Sequence, residues 1–262
     1  GFLPKPEFTV PIAQPQIATV ISNADPEGQG RVQVRFDWQT NDTTHFIRMM
    51  SPDAGGTDQI TQNRGYVAIP EVGDQVMVNF VHNHPDRPFV MGGMFHGGIG
   101  LGGGIDNRVK SIQTRSGQRV VFTEDESIII TDKSGNEIHL DTTGSNITIT
   151  APETMTLNCK NMNINVGENM TTSVGMNKSD TIGLNNTQSV GAMKMTSVLG
   201  DTSMFITGKL TEMIEGDVTS EVKQGKTIIN SDQGIETSSN GSISKHAQKE
   251  VQNNSGERSK NF

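Results

Sequence analysis

Histidines are the first residues in this chain that metal chemistry would use. His82 and His84 flank Asn83, so both imidazoles would lie on one face of a strand, and His96 follows in the same half of the chain. A zinc site needs three or four ligands at a recognisable spacing, and a third ligand at such a spacing is missing here. We therefore interpret these residues as surface histidines.

Two further patterns could carry chemistry. Glu124-Asp125-Glu126 supplies carboxylates, but three adjacent charges are typical of an exposed turn, and no nucleophile motif accompanies them. Gly98-x-Gly100-x-x-Gly103 matches the dinucleotide fingerprint, which needs a strand before it and a helix after it, whereas more β pattern follows here. We interpret this stretch as a linker, and we predict no catalytic residue, no cofactor and no enzyme activity.

Composition excludes several classes of protein. The chain has 262 residues and a formal net charge of −8, which opposes phosphate binding, so we predict no nucleic-acid partner. Cys159 is the single cysteine and cannot form a disulfide within one chain. Aliphatic runs reach only three residues, far below the roughly 20 that cross a bilayer. The chain begins at Gly1, with neither an initiator Met nor a leader pattern. We therefore interpret this start as a boundary within a longer protein.

The chain changes character near residue 100. Nine of the twelve aromatic residues lie at or before Phe95, and nine of the ten prolines lie at or before Pro88. Before this point, alternating apolar runs separated by turn residues predict five strands of a small OB-like Greek-key barrel. The predicted strands are Ile17 to Ser22, Arg31 to Trp38, His45 to Met50, Tyr66 to Ile69 and Asp74 to His82.

The second half contains a repeat of eight residues. Eight consecutive β-branched residues recur at this spacing: Val166, Val174, Ile182, Val190, Val198, Ile206, Ile214 and Val222. Glycine follows directly in the first four units (Gly167, Gly175, Gly183, Gly191) and one place later in the next three (Gly200, Gly208, Gly216). We predict that each octad is a short strand ended by a bend, whose φ values only glycine reaches at low cost. After a slip, Ile235, Ile243 and Val251 resume the spacing of eight.

Shorter alternating strands lead into the octads. They run from Arg119 to Thr123, Ser127 to Thr131, Glu137 to Leu140, Asn146 to Thr150 and Met155 to Leu157. No stretch of useful length has helical periodicity, so the fold class is all-β. The predicted divisions are an N-terminal extension or linker remnant (1–14), an OB-fold domain (15–96), a Gly-rich linker (97–110), a lead-in segment (111–160), an octad shaft (161–251) and a polar tail or tip (252–262).

An octad supplies one side of a prism, and one side is not a closed core. Three successive octads of one chain could form a coil of a single-chain β-helix, or three chains could each supply one side. The second solution removes strand edges from solvent, so we favour a homotrimeric, intertwined, triple-stranded β-helix. Each layer would bury three β-branched side chains, each worth roughly 1.5–3 kcal/mol by transfer. Eight layers would make the prism slow to unfold.

At this point the sequence resembles a known family. The first half resembles the OB domain of VgrG proteins, the spike of the type VI secretion system, and more distantly phage baseplate spikes. The residues that carry the resemblance are Gly30, Val32, Val34, Phe36, Trp38, Pro70, Gly73, Asp74, Val76, Val78, Phe80, Pro85, Asp86, Arg87 and Pro88. With the octads behind it, the resemblance covers residues from about 15 to 250.

The resemblance implies a trimeric needle at the tip of a contractile tube, driven through a target membrane. Family members begin with a hub domain that docks on the inner tube and baseplate, and nothing in this chain matches it. The shaft end of the family usually carries a PAAR-type tip protein or an effector. Such a protein is assembled in the bacterial cytoplasm and then secreted to the extracellular space or into a target cell.

Three alternatives accompany this interpretation. The first is the spike of a phage tail or of an extracellular contractile injection particle. The second is a β-helix tailspike enzyme that degrades polysaccharide, although an octad prism offers no groove long enough for a sugar chain and no convincing carboxylate pair. The third is a passive receptor-binding fibre, which would need a larger globular C-terminal head than the residues after Val251 can supply. Within the spike interpretation, a metal at the shaft tip is a further candidate, because threefold symmetry there would bring three copies of His246 together.

Overall fold

The computed structural model describes residues 9–256, and it confirms the all-β fold class. Its strands are β1 (Gln16–Ser22), β2 (Gln33–Phe36), β3 (Ala54–Gly55), β4 (Arg64–Gly65), β5 (Gln75–Phe80), β6 (Pro88–Gly93), β7 (Lys110–Gln113), β8 (Arg119–Phe122), β9 (Ile128–Thr131), β10 (Glu137–Asp141) and β11 (Asn146–Thr150). Short 3₁₀ turns lie at Val81–Asn83 and Ile105–Asn107. No helix in the described range could span a membrane. The predicted extension 1–14 and tail 252–262 lie partly outside this range.

The first sheet is a barrel closed by a segment without a regular strand. β2, β1, β5 and β6 pair antiparallel in that order. The segment 44–50 joins the two edges, through an antiparallel bridge from Ile47 to Val32 and a parallel bridge from Met49 to Val90. The backbone N–H of Val90 donates to the Arg48 carbonyl at 2.9 Å. Five segments therefore close the ring with the strand order of an OB barrel.

The barrel core follows from alternation along its strands. Every second residue of β2 and β5 points inward, because successive side chains of a strand face opposite sides of the sheet. Six valines have no solvent exposure: Val20, Val32, Val34, Val76, Val78 and Val90. Phe36 stacks on Phe80 with ring centroids 6.2 Å apart, and exposed Trp38 stacks on the other side of Phe36 at 5.5 Å. Seven of these nine residues, all except Val20 and Val90, are among those that carried the family resemblance.

The remaining resemblance residues shape turns around the barrel. Gly30 and Gly73 have φ of +70° and +96°, and a Cβ on Gly30 would approach the Ile69 side chain at 3.0 Å. Pro70 is buried, and its carbonyl accepts a hydrogen bond from the Asn23 side chain at 3.1 Å. The Asp74 carboxylate accepts from the Glu71 backbone N–H at 2.9 Å. Pro85, Asp86, Arg87 and Pro88 form the turn between β5 and β6, where the Val81 N–H donates to the Arg87 carbonyl.

The fourth of the five predicted strands, Tyr66 to Ile69, was wrong. Tyr66 to Ile69 forms no strand, since its side chains are mostly exposed and only the short β3–β4 hairpin precedes it. The fifth barrel strand is Pro88–Gly93, which pairs with β5. Pro88 and two glycines hid this strand, because those residues are typical of turns. Proline is tolerated there because it is the first residue of the strand.

The β1–β2 loop is organised by one carboxylate. The Asp25 side chain is only 3% exposed, and it accepts hydrogen bonds from Arg31 Nη2 at 2.7 Å and Arg31 Nε at 3.0 Å. It also accepts from the backbone N–H groups of Glu27, Gln29 and Arg31. The Arg31 guanidinium, helped by these N–H groups and opposed by burial, holds the pKa of Asp25 far below its ordinary value of 3.8.

A second sheet follows the barrel. β7 to β11 form an antiparallel meander in chain order, and hydrogen-bonded turns at 96–109 precede it where the Gly-rich linker was predicted. The Val109 N–H, for example, donates to the Gly103 carbonyl at 2.8 Å. Met155 to Leu157 was predicted as a further strand and is not one. By internal contacts the described chain divides at Met170, and no strand or helix lies in residues 151–256. The prediction of a short strand in each octad was therefore wrong for the single chain, because a strand needs a paired neighbour and the octads do not pair with one another; the predicted bends are present.

We expect Asp25→Asn to lower the melting temperature at pH 7, because an amide cannot accept all five donors or balance the Arg31 charge. The ionised form is favoured in the folded state, so its stabilisation is present above the ordinary pKa of 3.8 and is lost as the pH falls below it. The gap between wild type and variant should therefore narrow only below about that pH. Calorimetry across pH 2–7 checks this. Asp42→Asn, at an exposed position, is the control, and an equal loss in both variants would contradict the assignment.

Candidate trimer interface

The histidines near the end of the barrel lie in turns, and two of them accept backbone hydrogen bonds there. His84 Nδ1 accepts a hydrogen bond from the Asp86 backbone N–H, and His96 Nδ1 accepts one from the Gly98 N–H, both at 3.2 Å. His82 is exposed, with φ of +55°. Across residues 9–256, no three His, Cys, Asp or Glu side chains lie close enough to hold a metal ion. His246 is exposed in its single chain.

The acidic triplet lies in the turn between β8 and β9, as expected. Glu126 has φ of +66°, and the Thr123 hydroxyl donates to the Asp125 carboxylate, which lowers the pKa of Asp125. Glu124 pairs with Arg108 at 3.4 Å. The glycine-rich stretch is followed by β7, a strand rather than the helix that a dinucleotide fingerprint requires. Neither pattern assembles a site for chemistry.

One face of the second sheet is apolar and only partly covered by the residues that the structure describes. Residues directly opposite one another across the sheet form two rows on this face. The first row is Ile112, Val120, Ile130, Ile138 and Ile149, and the second is Lys110, Phe122, Ile128, Leu140 and Ile147. Ile147 is 70% exposed. The rows on the other face are mostly polar, so the sheet is amphipathic.

The sequence predicted β8 to β11 of this sheet but neither β7 (Lys110–Gln113) nor the apolar face. The signal was present, since apolar residues alternate in β8 to β11 and a meander with short turns aligns them. Only the register places all five first-row residues side by side. A continuous apolar row in a sheet with exposed outer strands predicts that another surface covers it.

The octad residues form a second uncovered row. The eight β-branched side chains from Val166 to Val222 have closely similar exposures, between 45% and 56%, and every one is followed at once by a bend. The bends lie at 167–168, 175–176, 183–184, 191–192, 199–200, 207–208, 215–216 and 223–225. The backbone thus repeats every eight residues, whichever bend position the glycine occupies.

The predicted reason for the octad glycines was wrong. None of the seven has φ in the left-handed region, so their bends need no conformation reserved for glycine. A Cβ added at any of them would meet nothing within 4 Å in the same chain. Within residues 171–256, only Gly225 and Gly234 have strongly positive φ, at +143° and +152°. Any requirement for small residues at the octad bends must therefore come from outside the chain.

The slip after Val222 is visible in the backbone. Up to Val222 each β-branched residue directly precedes its bend, whereas Ile235, Ile243 and Val251 each follow a bend that ends two residues earlier. Gly225 and Gly234 lie in the segment between the two phases. The repeat therefore has two parts with different positions of the apolar residue relative to the bend.

Comparison with known proteins identifies relatives of the barrel. Residues 16–95 match the type VI secretion system/phage-baseplate injector OB domain. The type VI secretion system spike protein VgrG1c of Pseudomonas aeruginosa is 31% identical over 109 residues, which is 37% of this chain and 14% of that protein. VgrG1a of the same organism is 32% identical over 104 residues, or 35% of this chain and 15% of that protein.

A third relative has a different name. The actin cross-linking toxin VgrG1 of Vibrio cholerae is 30% identical over 105 residues, which is 36% of this chain and 8% of that protein. The match thus spans a small part of each relative. Residues 16–95 are thus similar to the injector OB domain of type VI secretion systems and phage baseplates, and over about a third of its length the chain is similar to VgrG spike proteins.

Proposed function

We propose that this chain is one third of a homotrimeric spike at the tip of a contractile injection machine of the type VI secretion kind. Three copies wind around one axis, with the octad residues in threefold layers. One observation carries this proposal: a β-branched row at a constant spacing of eight that its own chain leaves half exposed. Burial of that row needs other chains.

The same segment favours three chains over one. In a single-chain β-helix, successive octads would pair with one another in the same chain. Residues 151–256 contain no such strand pairing, although their bends repeat regularly. The octad glycines support this choice, because no atom of their own chain approaches the missing Cβ. Close approach of a neighbouring backbone gives a reason for glycine that one chain does not.

The apolar face of the second sheet belongs to the same assembly. Three copies of its rows would pack together between the barrel and the octads and cover Ile130, Ile138 and Ile149. The sheet packs as a rigid unit, because ladder hydrogen bonds connect all five strands. This lead-in segment then begins the trimer before the first octad.

The partners follow from the proposed spike. A hub domain outside this chain docks on the inner tube and baseplate, the shaft end carries a PAAR-type tip protein and effectors, and the target membrane is met during puncture. The assembly forms in the bacterial cytoplasm and is then secreted. A net charge of −8 per chain disfavours nucleic acid as a partner. The work is mechanical rather than catalytic.

Two alternatives share this architecture. The matched OB description covers phage baseplates as well as type VI secretion, so the spike of a phage tail or of an extracellular injection particle is the alternative machine. A polysaccharide-degrading β-helix enzyme would need a groove and a carboxylate pair, and the acidic triplet at 124–126 lies in a turn instead.

Mass in solution tests the trimer directly. We expect light scattering to give three times 28.3 kDa, and a band of that size to persist in mild SDS without boiling, because the layers unfold slowly. A clean monomer at 28.3 kDa would refute the proposal and reopen the single-chain β-helix.

Val190→Asp tests the octad layers. Three carboxylates would meet at one dry axis, where each costs about 2 kcal/mol or more, so we expect loss of the trimer. The control is Ser189→Asp, which places the same charge on the opposite face of the strand and should leave the trimer intact. An unchanged mass and melting temperature for Val190→Asp would contradict the layer assignment.

Ile149→Asp tests the second sheet in the same way. Ile149 and its neighbour Thr148 are both exposed in the single chain but lie on opposite faces of β11. We expect Ile149→Asp to lower the melting temperature of the trimer and Thr148→Asp to have little effect, because only Ile149 faces other copies. Equal effects of the two changes would show that the apolar face stays in solvent.

A further inference from the structure

A pocket of about 330 Å³ lies beside the β1–β2 loop of the barrel. One wall is this loop at 28–30, and the other is formed by residues 49–55 and 63–69, which include the short β3–β4 hairpin. The volume is at the lower end of the range found for small-molecule sites. These lining residues all belong to one chain, so the pocket does not depend on the proposed trimer.

The floor of the pocket is apolar and continuous with the barrel core. Met49 and Ile69 line the pocket and pack against the buried core residues. Gly30 lies next to this floor, where a Cβ would come within 3.0 Å of the Ile69 side chain. A larger residue at position 30 would therefore press on Ile69 and narrow the pocket.

The hairpin wall is fixed by hydrogen bonds and by one glycine. The Ser51 hydroxyl donates to the Tyr66 carbonyl at 2.6 Å, and the Tyr66 N–H donates to the Asp53 carbonyl at 2.9 Å. Gly65 has φ of +114°, and a Cβ there would overlap the Asp53 carbonyl oxygen. Because only glycine fits this position, the wall is held in the conformation that forms the pocket.

The lining of the pocket is electrically neutral. Of the described residues that line it, only Asp53 and Arg64 are charged, and Arg64 Nη1 lies 2.9 Å from Asp53 Oδ2. An ionic ligand would lose its hydration in the pocket without gaining a free opposite charge. The lining therefore favours a neutral ligand over a nucleotide phosphate.

Two polar side chains of the wall are available to a ligand. Within residues 9–256, the Asn63 amide and the Tyr66 hydroxyl form no hydrogen bond with another protein group. Tyr66 is 50% exposed, so part of its ring is also accessible. The pocket thus combines an apolar floor with an aromatic ring, an amide and a hydroxyl.

We propose that this pocket binds a neutral, N-acetylated sugar unit of a polysaccharide. The faces of a sugar ring carry C–H groups, which suit the Tyr66 ring and the floor of Met49 and Ile69. The hydroxyl groups at its edge suit the Asn63 amide and the Asp53 carboxylate, because both can form hydrogen bonds with hydroxyls. An acetamido group adds a methyl and an uncharged donor and acceptor. OB barrels in general bind oligosaccharides beside the loop between their first two strands.

The proposed activity is binding without cleavage. The pocket has one carboxylate, already paired with Arg64, whereas glycoside hydrolysis uses two carboxyl groups. In the proposed spike, three such pockets would attach the barrels to the surface polysaccharide of a target cell. This consequence, unlike the pocket itself, rests on the proposed function.

Chitotriose, a neutral trimer of N-acetylglucosamine, is the probe for this site. Tyr66 is the only tyrosine of the chain, so labelling with 3-fluorotyrosine gives one ¹⁹F resonance, located at the pocket. We expect chitotriose to shift this resonance in a saturable titration. The deacetylated trimer is cationic and should bind at least about tenfold more weakly. No saturable shift with chitotriose, or equal affinity for the two sugars, would overturn the proposal.

Two substitutions test the wall without changing its backbone. Asn63 has φ of +55°, which glycine adopts readily, so Asn63→Gly removes only the amide. Tyr66→Ala removes the ring but keeps the backbone hydrogen bonds of residue 66. We expect calorimetric titration to give chitotriose binding about fivefold weaker for Asn63→Gly and about tenfold weaker for Tyr66→Ala. Phe95→Ala changes an aromatic residue that is 88% exposed and outside the pocket, so this matched control should bind as the wild type does.

Light scattering on the same samples separates this inference from the proposed trimer. A monomer that binds chitotriose as expected would refute the trimer and support the pocket. A trimer in which Tyr66→Ala binds as tightly as the wild type would overturn the pocket alone. Equal weakening by Tyr66→Ala and Phe95→Ala would show that the sugar contacts exposed aromatic side chains in general, which would also overturn it.

Discussion

One apolar side chain every eight residues is the constraint on which the rest of this protein depends. A chain with so thin a row cannot fold it inward, because each strand between bends offers only one reliably β-branched residue to a core. The hydrophobic effect can act on such a row only where equal rows meet. The half-exposed valines and isoleucines, the absence of strand pairing in residues 151–256 and the open bends all follow from this one condition.

The barrel, unlike the octad segment, buries its apolar residues within a single chain. Alternation in β2 and β5 brings six valines to zero exposure, and the bridges of Ile47 and Met49 close the ring without a full strand. The charge of Asp25 is neutralised by Arg31 from the same loop, so the loop needs no partner either. One chain therefore combines a self-sufficient domain with a segment that is incomplete by itself.

Sequence reasoning succeeded where pattern and structure have the same period. The bends that recur every eight residues, four of the five strands of the second sheet and most of the barrel core could be predicted, because period 2 and period 8 are both visible in the residues. It failed at Pro88–Gly93, where turn-forming residues occur in a strand whose partners are distant in the chain. It also missed the apolar rows of the second sheet, since register between strands decides which residues are neighbours. The octad glycines were explained by φ, although their own backbone needs no special φ.

The segment between Val222 and Ile235 limits how such a shaft can change its length. Elsewhere in the repeat, an insertion or deletion keeps the apolar row in line only if it adds or removes a whole octad, because a single residue turns every following side chain to the other face. The octad repeat can therefore change its length only in steps of eight residues. The thirteen-residue step from Val222 to Ile235, with Gly225 and Gly234 at positive φ, is the one departure from that unit among the described octads. This step separates the octads up to Val222 from those that begin at Ile235. The number of octads in either part can therefore change without disturbing the apolar row of the other.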